Sequence, residues 1–172
     1  MDFNKPVTNP MLVGAIELLK AEDTPDHRKL FMDEVMKATF LMPTVVTPVP
    51  EPGEDGKVKL QPGSKVQFPM LATPDGKHFF MAYTDWTELK KWKDEENQQT
   101  FAFRFRDYAE MLFQKAPDGM ANSASGFIIN PFGGNMVITK EIAASWMAQV
   151  LNQAQQQGKF DPSNLQTPPG KN

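Results

Sequence analysis

The sequence of 172 residues contains no cysteine and only two histidines, His27 and His78. Without thiols the chain can form no disulfide bond, and thiolate chemistry is excluded. Zinc sites need three or four converging Cys, His or carboxylate ligands, which this composition does not favour. His27 lies in the first turn of a predicted helix and His78 at the start of a predicted strand, so capping or surface roles explain both. We therefore predict no metal site and no cofactor.

The chain also lacks a strong excess of charge and a long apolar run. Its 21 acidic and 18 basic residues give a net charge of -3, which provides no general attraction to phosphate backbones or anionic lipids. No segment approaches the roughly 20 apolar residues of a membrane span, and the first residues lack a basic region followed by an apolar segment of secretory length. We expect a cytoplasmic protein with no nucleic-acid or membrane partner.

Proline and capping residues predict two helices followed by a strand. Asn9-Pro10 and Thr24-Pro25 each place a capping residue before a proline at the first helical position, and apolar residues at helical spacing follow both pairs. Phe40 to Val49 is rich in β-branched residues, but Pro43 and Pro48 cannot donate to a ladder. We therefore predict two amino-terminal helices and then an edge or bent strand.

The middle of the chain predicts a meander of strands with inserted helices. Val58 to Tyr83 alternates apolar and polar residues and contains the turn signal Thr73-Pro74-Asp75-Gly76. Asp85 and Glu88 have capping-box spacing, and the predicted helix ends near Asp94 with three apolar anchors on one side, Trp86, Leu89 and Trp92. The next strand places Phe101, Phe103 and Phe105 on one face, and a further helix opens with Asp107 and Glu110 as its capping pair.

The segment from Gly126 to Met147 combines two strands, a turn and a capped helix. Apolar runs flank the turn Asn130 to Asn135, and Thr139 precedes a helix from about Lys140 to Gln157. Two adjacent apolar rows along that helix predict deep burial; they comprise Ile142, Trp146, Val150 and Ala154 and then Ala143, Met147 and Leu151.

These elements predict an α+β fold in a single domain. We expect a mixed, largely antiparallel sheet with amino-terminal helices, short inserted helices and a long carboxyl-terminal helix packed on it. The domain should span residues 1–158, since residues 159–172 are polar and rich in proline and form a tail that folding does not require.

Catalytic and binding residues are harder to identify in this sequence than helices and strands. A catalytic triad would need a serine in a strained Gly-x-Ser-x-Gly turn, a context that is absent around Ser64, Ser123, Ser125 and Ser145. Asp85, Glu88, Asp107 and Glu110 could be paired carboxylates for acid-base work, but capping explains their spacing more simply. Gly133-Gly134 opens into a strand rather than a helix, so a hairpin turn fits better than an anion site. We predict no catalytic residue.

Three segments nevertheless resemble one known family. They are FLMPTVVTPV from Phe40, FFMAYTDWTELKKW from Phe79 and GFIINPFGGNMVITKEI from Gly126. Together they resemble the amino-terminal domain of SseB, the enhanced-serine-sensitivity protein family, over roughly residues 9 to 155. The matching positions include Ala82-Tyr83-Thr84 and Asn130-Pro131, although Tyr83 stands where phenylalanine is commoner. The resemblance implies an α+β domain with a mixed sheet and carries over no catalytic residue, because the family name records a phenotype.

Two function classes remain open. The first is a non-enzymatic interaction or regulatory module with a protein partner, for which the candidate contact residues are Phe132, Tyr83 and Trp92. The second is a small-molecule or nucleotide-handling enzyme whose carboxylates assemble from distant loops. If Asp85, Glu88 and Asp107 converge in one pocket, the enzyme is favoured. If they lie at the starts of separate helices, the interaction module is favoured. Phe132 itself could fold over the core as a lid or stand out as an anchor. The oligomeric state does not follow from the sequence.

Overall fold

A computed structural model describes residues 6–50, 60–96, 98–114 and 123–156. Within these ranges the helices are α1 (Pro10–Ala21), α2 (Pro25–Lys37), α3 (Trp86–Lys90), α4 (Phe105–Phe113) and α5 (Lys140–Gln156). The strands are β1 (Thr39–Thr47), β2 (Lys65–Gln67), β3 (Met70–Ala72), β4 (His78–Ala82), β5 (Gln99–Arg104), β6 (Ala124–Ile129) and β7 (Met136–Thr139). The predicted tail, residues 159–172, lies outside the described residues.

The strands form two mostly antiparallel sheets, which confirms the predicted α+β fold. The order in the first sheet is β2-β1-β5 and in the second β3-β4-β6-β7. β4 and β6 are parallel, and the other neighbours are antiparallel. A bridge joins the sheets where the Leu41 amide donates to the Tyr83 carbonyl at 2.8 Å and the Tyr83 amide donates back at 3.0 Å.

β1 is the central strand of its sheet, so of the two alternatives, an edge strand or a bent strand, the edge strand was wrong. Amide direction alternates with period two, and because Leu41 faces Tyr83, the nitrogen of Pro43 faces the same side. Among the described residues that side is unpaired at Pro43, since β2 pairs only from Val45 onward. The strand therefore accommodates a proline without losing a ladder hydrogen bond there.

The main core is built around Tyr108 of α4. Its ring stacks on Phe127 with centroids 4.6 Å apart, and its hydroxyl donates to the Met81 carbonyl at 2.8 Å. Complete burial raises the pKa of Tyr108 well above its usual value, so the hydroxyl stays a neutral donor. A smaller cluster lies beside the bridge and consists of Leu41, Met81, Tyr83 and Leu89. The Tyr108 ring also contacts Phe40 of β1, with centroids 6.0 Å apart, so α4 and the bridge connect the two sheets.

The junction of β5 and α4 differs from the sequence prediction. The Asp107 carboxylate accepts the Arg104 amide at 2.7 Å, so the helix begins at Phe105 and ends the strand alternation. Phe105 therefore does not share a strand face with Phe101 and Phe103. Asp107 with Glu110 is not the capping pair, because Glu110 accepts from Arg106 at 3.0 Å.

Two other helices also depart from expectation. Helix α3 ends at Lys90 rather than near Asp94. Helix α5 has the predicted length and cap, since the Ile142 amide donates to the Thr139 hydroxyl at 3.2 Å, but it is not deeply buried. Ala143 alone of its two predicted rows is fully buried, and Val150 and Leu151 are 39% and 57% exposed. The apolar residues share faces of α5 as predicted, but the described part of the domain packs only against the first half of the helix.

Candidate functional site

The carboxyl ends of the parallel strands β4 and β6 lie side by side. β4 continues through Tyr83 and Thr84 into α3, and β6 continues through Asn130 into the turn before β7. Ligand sites in sheets containing parallel strands commonly lie at such ends, so we take this edge as the candidate site.

A buried network of polar side chains connects the two strand ends. The Asn130 side chain accepts the Thr84 amide at 3.0 Å and donates to the Thr84 hydroxyl at 2.9 Å. The Thr84 hydroxyl donates in turn to the Asp85 carboxylate at 2.8 Å. Thr84 and Asn130 are 0% and 4% exposed, so these bonds satisfy groups that water does not reach. The network fixes the position of the turn after β6 relative to the start of α3.

Asn9 extends this network to the first sheet. Its side-chain amide donates to the carbonyls of Thr39 at 2.7 Å and Thr84 at 2.8 Å, and its oxygen accepts the Thr39 amide at 3.3 Å. The side chain makes no capping bond to α1, so the predicted side-chain cap was wrong. The Asn9 side chain bonds instead to the backbone groups of Thr39 and Thr84. Asn9 therefore holds the start of α1 against both sheets.

The turn after β6 is held tightly. Asn130 and Asn135 adopt left-handed backbone angles, with φ of 49° and 52°, and the Asn130 carbonyl accepts the amides of Gly133 at 2.9 Å and Asn135 at 2.8 Å. A Cβ on Gly133 would overlap the Glu88 carboxylate, and one on Gly134 would lie 3.0 Å from the Ile16 side chain. The turn therefore packs closely between α1 and α3, and a carboxylate rather than a cation faces it.

The carboxylates do not converge. Asp85 accepts the Glu88 amide at 2.9 Å and so caps α3, whereas Asp107 caps α4. Glu88 accepts a hydrogen bond from Lys91 at 2.7 Å through one oxygen, and its other oxygen is buried and has no hydrogen-bond partner in the part of the chain that the structure describes. Among the described residues no group of three or more His, Cys, Asp or Glu could hold a metal ion.

A polar cavity of about 330 Å³ lies at the opposite, amino-terminal end of the parallel pair. Its lining includes Lys77, Ser123, Ser125, Thr139, Lys140 and Glu141. Asp85, Glu88 and Asp107 do not line it. The cavity and the candidate carboxylates therefore occupy different parts of the domain.

The three candidate contact rings have different surroundings. Tyr83 is 0% exposed and stacks on Trp92 with centroids 6.5 Å apart, while its hydroxyl donates to the Met81 sulfur at 3.3 Å. Burial raises the pKa of Tyr83, and the charge of Glu88 acts in the same direction. Trp92 is half-buried, and Phe132 is 51% exposed. Of the three, Phe132 presents the most surface to solvent.

We expect Trp92→Ala to lower the free energy of unfolding by about 2 to 3 kcal/mol, because the half-buried ring covers Tyr83 and Leu89. Urea titration followed by circular dichroism measures this loss. Lys93→Ala is the control: its ammonium lies 5.3 Å above the Trp92 ring, and its loss should cost less than about 1 kcal/mol. Equal midpoints for Trp92→Ala and the unmodified protein would contradict the packing role.

The three segments quoted from the sequence meet in this site and its supporting core. A model of the SseB protein N-terminal domain matches residues 12–144. The chain belongs to the SseB N-terminal domain family. Searches of curated proteins and of solved structures find no match. Among the described residues of this SseB domain, no helix is long and apolar enough to cross a membrane.

Sequence reasoning identified parts of this site and missed others. Asn130-Pro131 and Tyr83-Thr84 were recognisable as family positions, and asparagine before a glycine-containing turn is a known signal for left-handed backbone. The role of Asn9 in connecting the two sheets was missed, because Asn before Pro is typical of a helix cap. No local signal connects Asn9 with Thr84, because 75 residues separate them.

Proposed function

We propose that this SseB N-terminal domain is a non-enzymatic interaction or regulatory module whose protein partner contacts Phe132. The observation that carries the proposal is a large aromatic ring, 51% exposed, at the tip of a turn whose backbone is fixed. Exposed aromatic residues are frequent anchors of protein interfaces, where a few such side chains supply most of the binding energy.

The rigidity of the turn supports this role. Asn130 holds the turn through two backbone and two side-chain hydrogen bonds, and Gly133 and Gly134 pack against α3 and α1. A ring on a fixed backbone loses little conformational freedom when it enters a partner's pocket. The same ring on a loose loop would bind more weakly.

The enzymatic alternative has less support. It requires carboxylates from distant loops in one pocket, whereas Asp85 and Asp107 cap separate helices. The cavity beside Lys77 contains none of the candidate carboxylates. The cytoplasmic location and the absence of nucleic-acid and membrane partners stay predictions of the sequence.

Photo-crosslinking tests the proposal. A photoreactive amino acid in place of Phe132 should capture a discrete partner from native lysate, and the same label in place of Phe113 should not. Phe113 is a matched control because it is a phenylalanine with 48% exposure at the end of α4. The captured protein, once purified, then serves as the ligand for binding measurements.

Phe132→Ala should weaken binding of that purified partner by about tenfold or more, as expected for an interface anchor. Its free energy of unfolding should change by less than about 0.5 kcal/mol, because the exposed Phe132 ring, unlike Trp92, belongs to neither core cluster. Phe113→Ala should leave the affinity unchanged. Unchanged affinity in Phe132→Ala, or a loss of stability large enough to explain the lost binding, would contradict the proposal.

A further inference from the structure

The polar cavity lies where three neighbouring strands of the second sheet meet the start of α5. Its volume is about 330 Å³, and it lies at the opposite end of β6 from the Phe132 turn. The apolar part of its lining, Phe79 and Ala124, is only 5% and 1% exposed. Small-molecule sites usually enclose about 300–1,000 Å³ and combine a buried apolar part with a few polar groups. This cavity therefore has the size and lining of a site for a small ligand.

The pairing of β4 with β6 is irregular at this cavity. His78 is opposite Ala124, but the next residue of β4, Phe79, is opposite Gly126. Ser125 is therefore an extra residue of β6 relative to β4, and it lines the cavity. Bulges of this kind redirect a side chain and are frequent beside active sites. The irregularity brings a hydroxyl group to the cavity at the cost of a regular ladder.

The polar lining favours an anionic ligand. In the described lining, two ammonium groups and three hydroxyl groups stand against one carboxylate; the residues are Lys77, Lys140, Ser123, Ser125, Thr139 and Glu141. The Thr139 hydroxyl accepts the Ile142 amide at 3.2 Å, and a hydroxyl that accepts can still donate its own proton. The described lining thus carries a net charge of +1, although the whole chain has a net charge of -3.

The Lys77 ammonium is held only loosely by its ion-pair partner. It lies 3.7 Å from the Asp75 carboxylate, and the two side chains are 61% and 58% exposed. Exposed ion pairs of this kind contribute little stability. Asp75 also accepts a hydrogen bond from the Thr73 hydroxyl, so it keeps a partner when Lys77 turns toward a ligand.

We propose that this cavity binds a small organic phosphate monoester. A phosphate monoester carries a charge of about -1.5 to -2 near neutral pH and has three terminal oxygens that accept hydrogen bonds. A carboxylate has one negative charge and two oxygens, so it would satisfy fewer of the donor side chains. Lys77 precedes β4 and Lys140 begins α5, so the two ammonium groups reach the cavity from different elements of the fold. Hydrogen bonds between ionised groups are about twice as strong as neutral ones, which favours a phosphate between two lysines.

Glu141 restricts the rest of the ligand. Its carboxylate only accepts hydrogen bonds, so it would repel a second anionic group and accept from a hydroxyl group of the ligand. The cavity volume is near the lower limit for small-molecule sites, so the organic part is small. Glycerol 3-phosphate has this chemistry and serves as the probe. The site does not depend on the proposed protein partner, because Phe132 lies at the other end of β6.

Two-dimensional ¹H–¹⁵N NMR of the full chain tests the binding of glycerol 3-phosphate. The amides of Ser123, Ser125 and Lys140 should shift and saturate, with a Kd of about 1 mM or lower. Lys77→Gln should raise that Kd about tenfold, because it removes one of the two positive charges. Lys65→Gln is the matched control, since Lys65 is an exposed lysine at the start of β2 and does not line the cavity. A titration that does not saturate by about 10 mM would overturn the proposal. So would a loss of affinity no larger in Lys77→Gln than in Lys65→Gln.

Related compounds test the ligand class. Glycerol should not bind, and glycerate, a carboxylate of similar size, should bind about tenfold more weakly than glycerol 3-phosphate. Inorganic phosphate should also bind more weakly, since it lacks the carbon-bound hydroxyl groups from which Glu141 would accept. Equal affinity for glycerate or inorganic phosphate would overturn the assignment to a phosphate monoester. Vesicles of phosphatidylcholine and phosphatidic acid should leave the protein in the supernatant. Co-sedimentation would identify a lipid phosphate as the ligand and overturn the assignment to a small soluble compound.

Discussion

Asn130→Ala should lower the free energy of unfolding by about 3 kcal/mol or more. The substitution removes the acceptor of the Thr84 amide and the donor to the Thr84 hydroxyl, and both groups are buried. A buried polar group left without a partner costs roughly 1 to 3 kcal/mol, and alanine adds strain at a φ of 49°. Chemical denaturation followed by tryptophan fluorescence measures the change.

Asn135→Ala separates the two causes. Asn135 has nearly the same backbone angle, with a φ of 52°, but its side chain is exposed. Alanine there should cost only the backbone strain, about 1 to 2 kcal/mol. If the two variants lose equal stability, the side-chain network around Thr84 contributes nothing measurable, and our account of the strand ends is wrong.

Gly126→Ala should be the other strongly destabilising change, with a loss of about 3 kcal/mol or more. A Cβ at this position would overlap the carbonyl oxygen of Ile138 in β7 and lie 2.9 Å from the Thr139 Cα. Both atoms belong to the backbone, so relief requires moving β6 away from β7. Thermal and urea unfolding measure the loss.

Gly14→Ala provides the matched control for Gly126→Ala. Gly14 lies within α1, and beyond its chain neighbours and the backbone of its own helix no described atom lies within 4 Å of the added methyl group. Alanine is a better helix former than glycine, so this variant should gain roughly 0.5 to 1 kcal/mol. Substitutions of identical chemistry should therefore change stability in opposite directions. A loss for Gly126→Ala below about 1 kcal/mol would mean that the strands adjust easily.

Local sequence chemistry predicted the elements whose boundaries depend on neighbouring residues. Thr24-Pro25 starts α2 with the expected cap, since the His27 amide donates to the Thr24 hydroxyl at 3.1 Å. The turn at Gly76 joins β3 and β4 as predicted, with a glycine φ of 82°. In both cases sterics and short-range hydrogen bonds determine the conformation, so adjacent residues are sufficient.

Tertiary contacts determined what the sequence could not predict. Alternation continued through Phe105, but the Asp107 cap began a helix there. Helical spacing in α5 showed which side chains share a face, and could not show whether anything covers that face. For the site, the network depended on pairs far apart in the chain, such as Asn130 with Thr84, 46 residues apart. Such pairs have no signature in either segment alone.

Asn9 has a further consequence for the order of folding. Its bonds to Thr39 and Thr84 join chain positions 30 and 75 residues apart, so they form only after both loops have closed. Contacts between distant positions are entropically expensive and slow folding. We therefore expect the start of α1 to reach its final position only after both sheets have assembled. Truncating the Asn9 side chain should speed unfolding and leave the refolding rate nearly unchanged, which stopped-flow kinetics would measure.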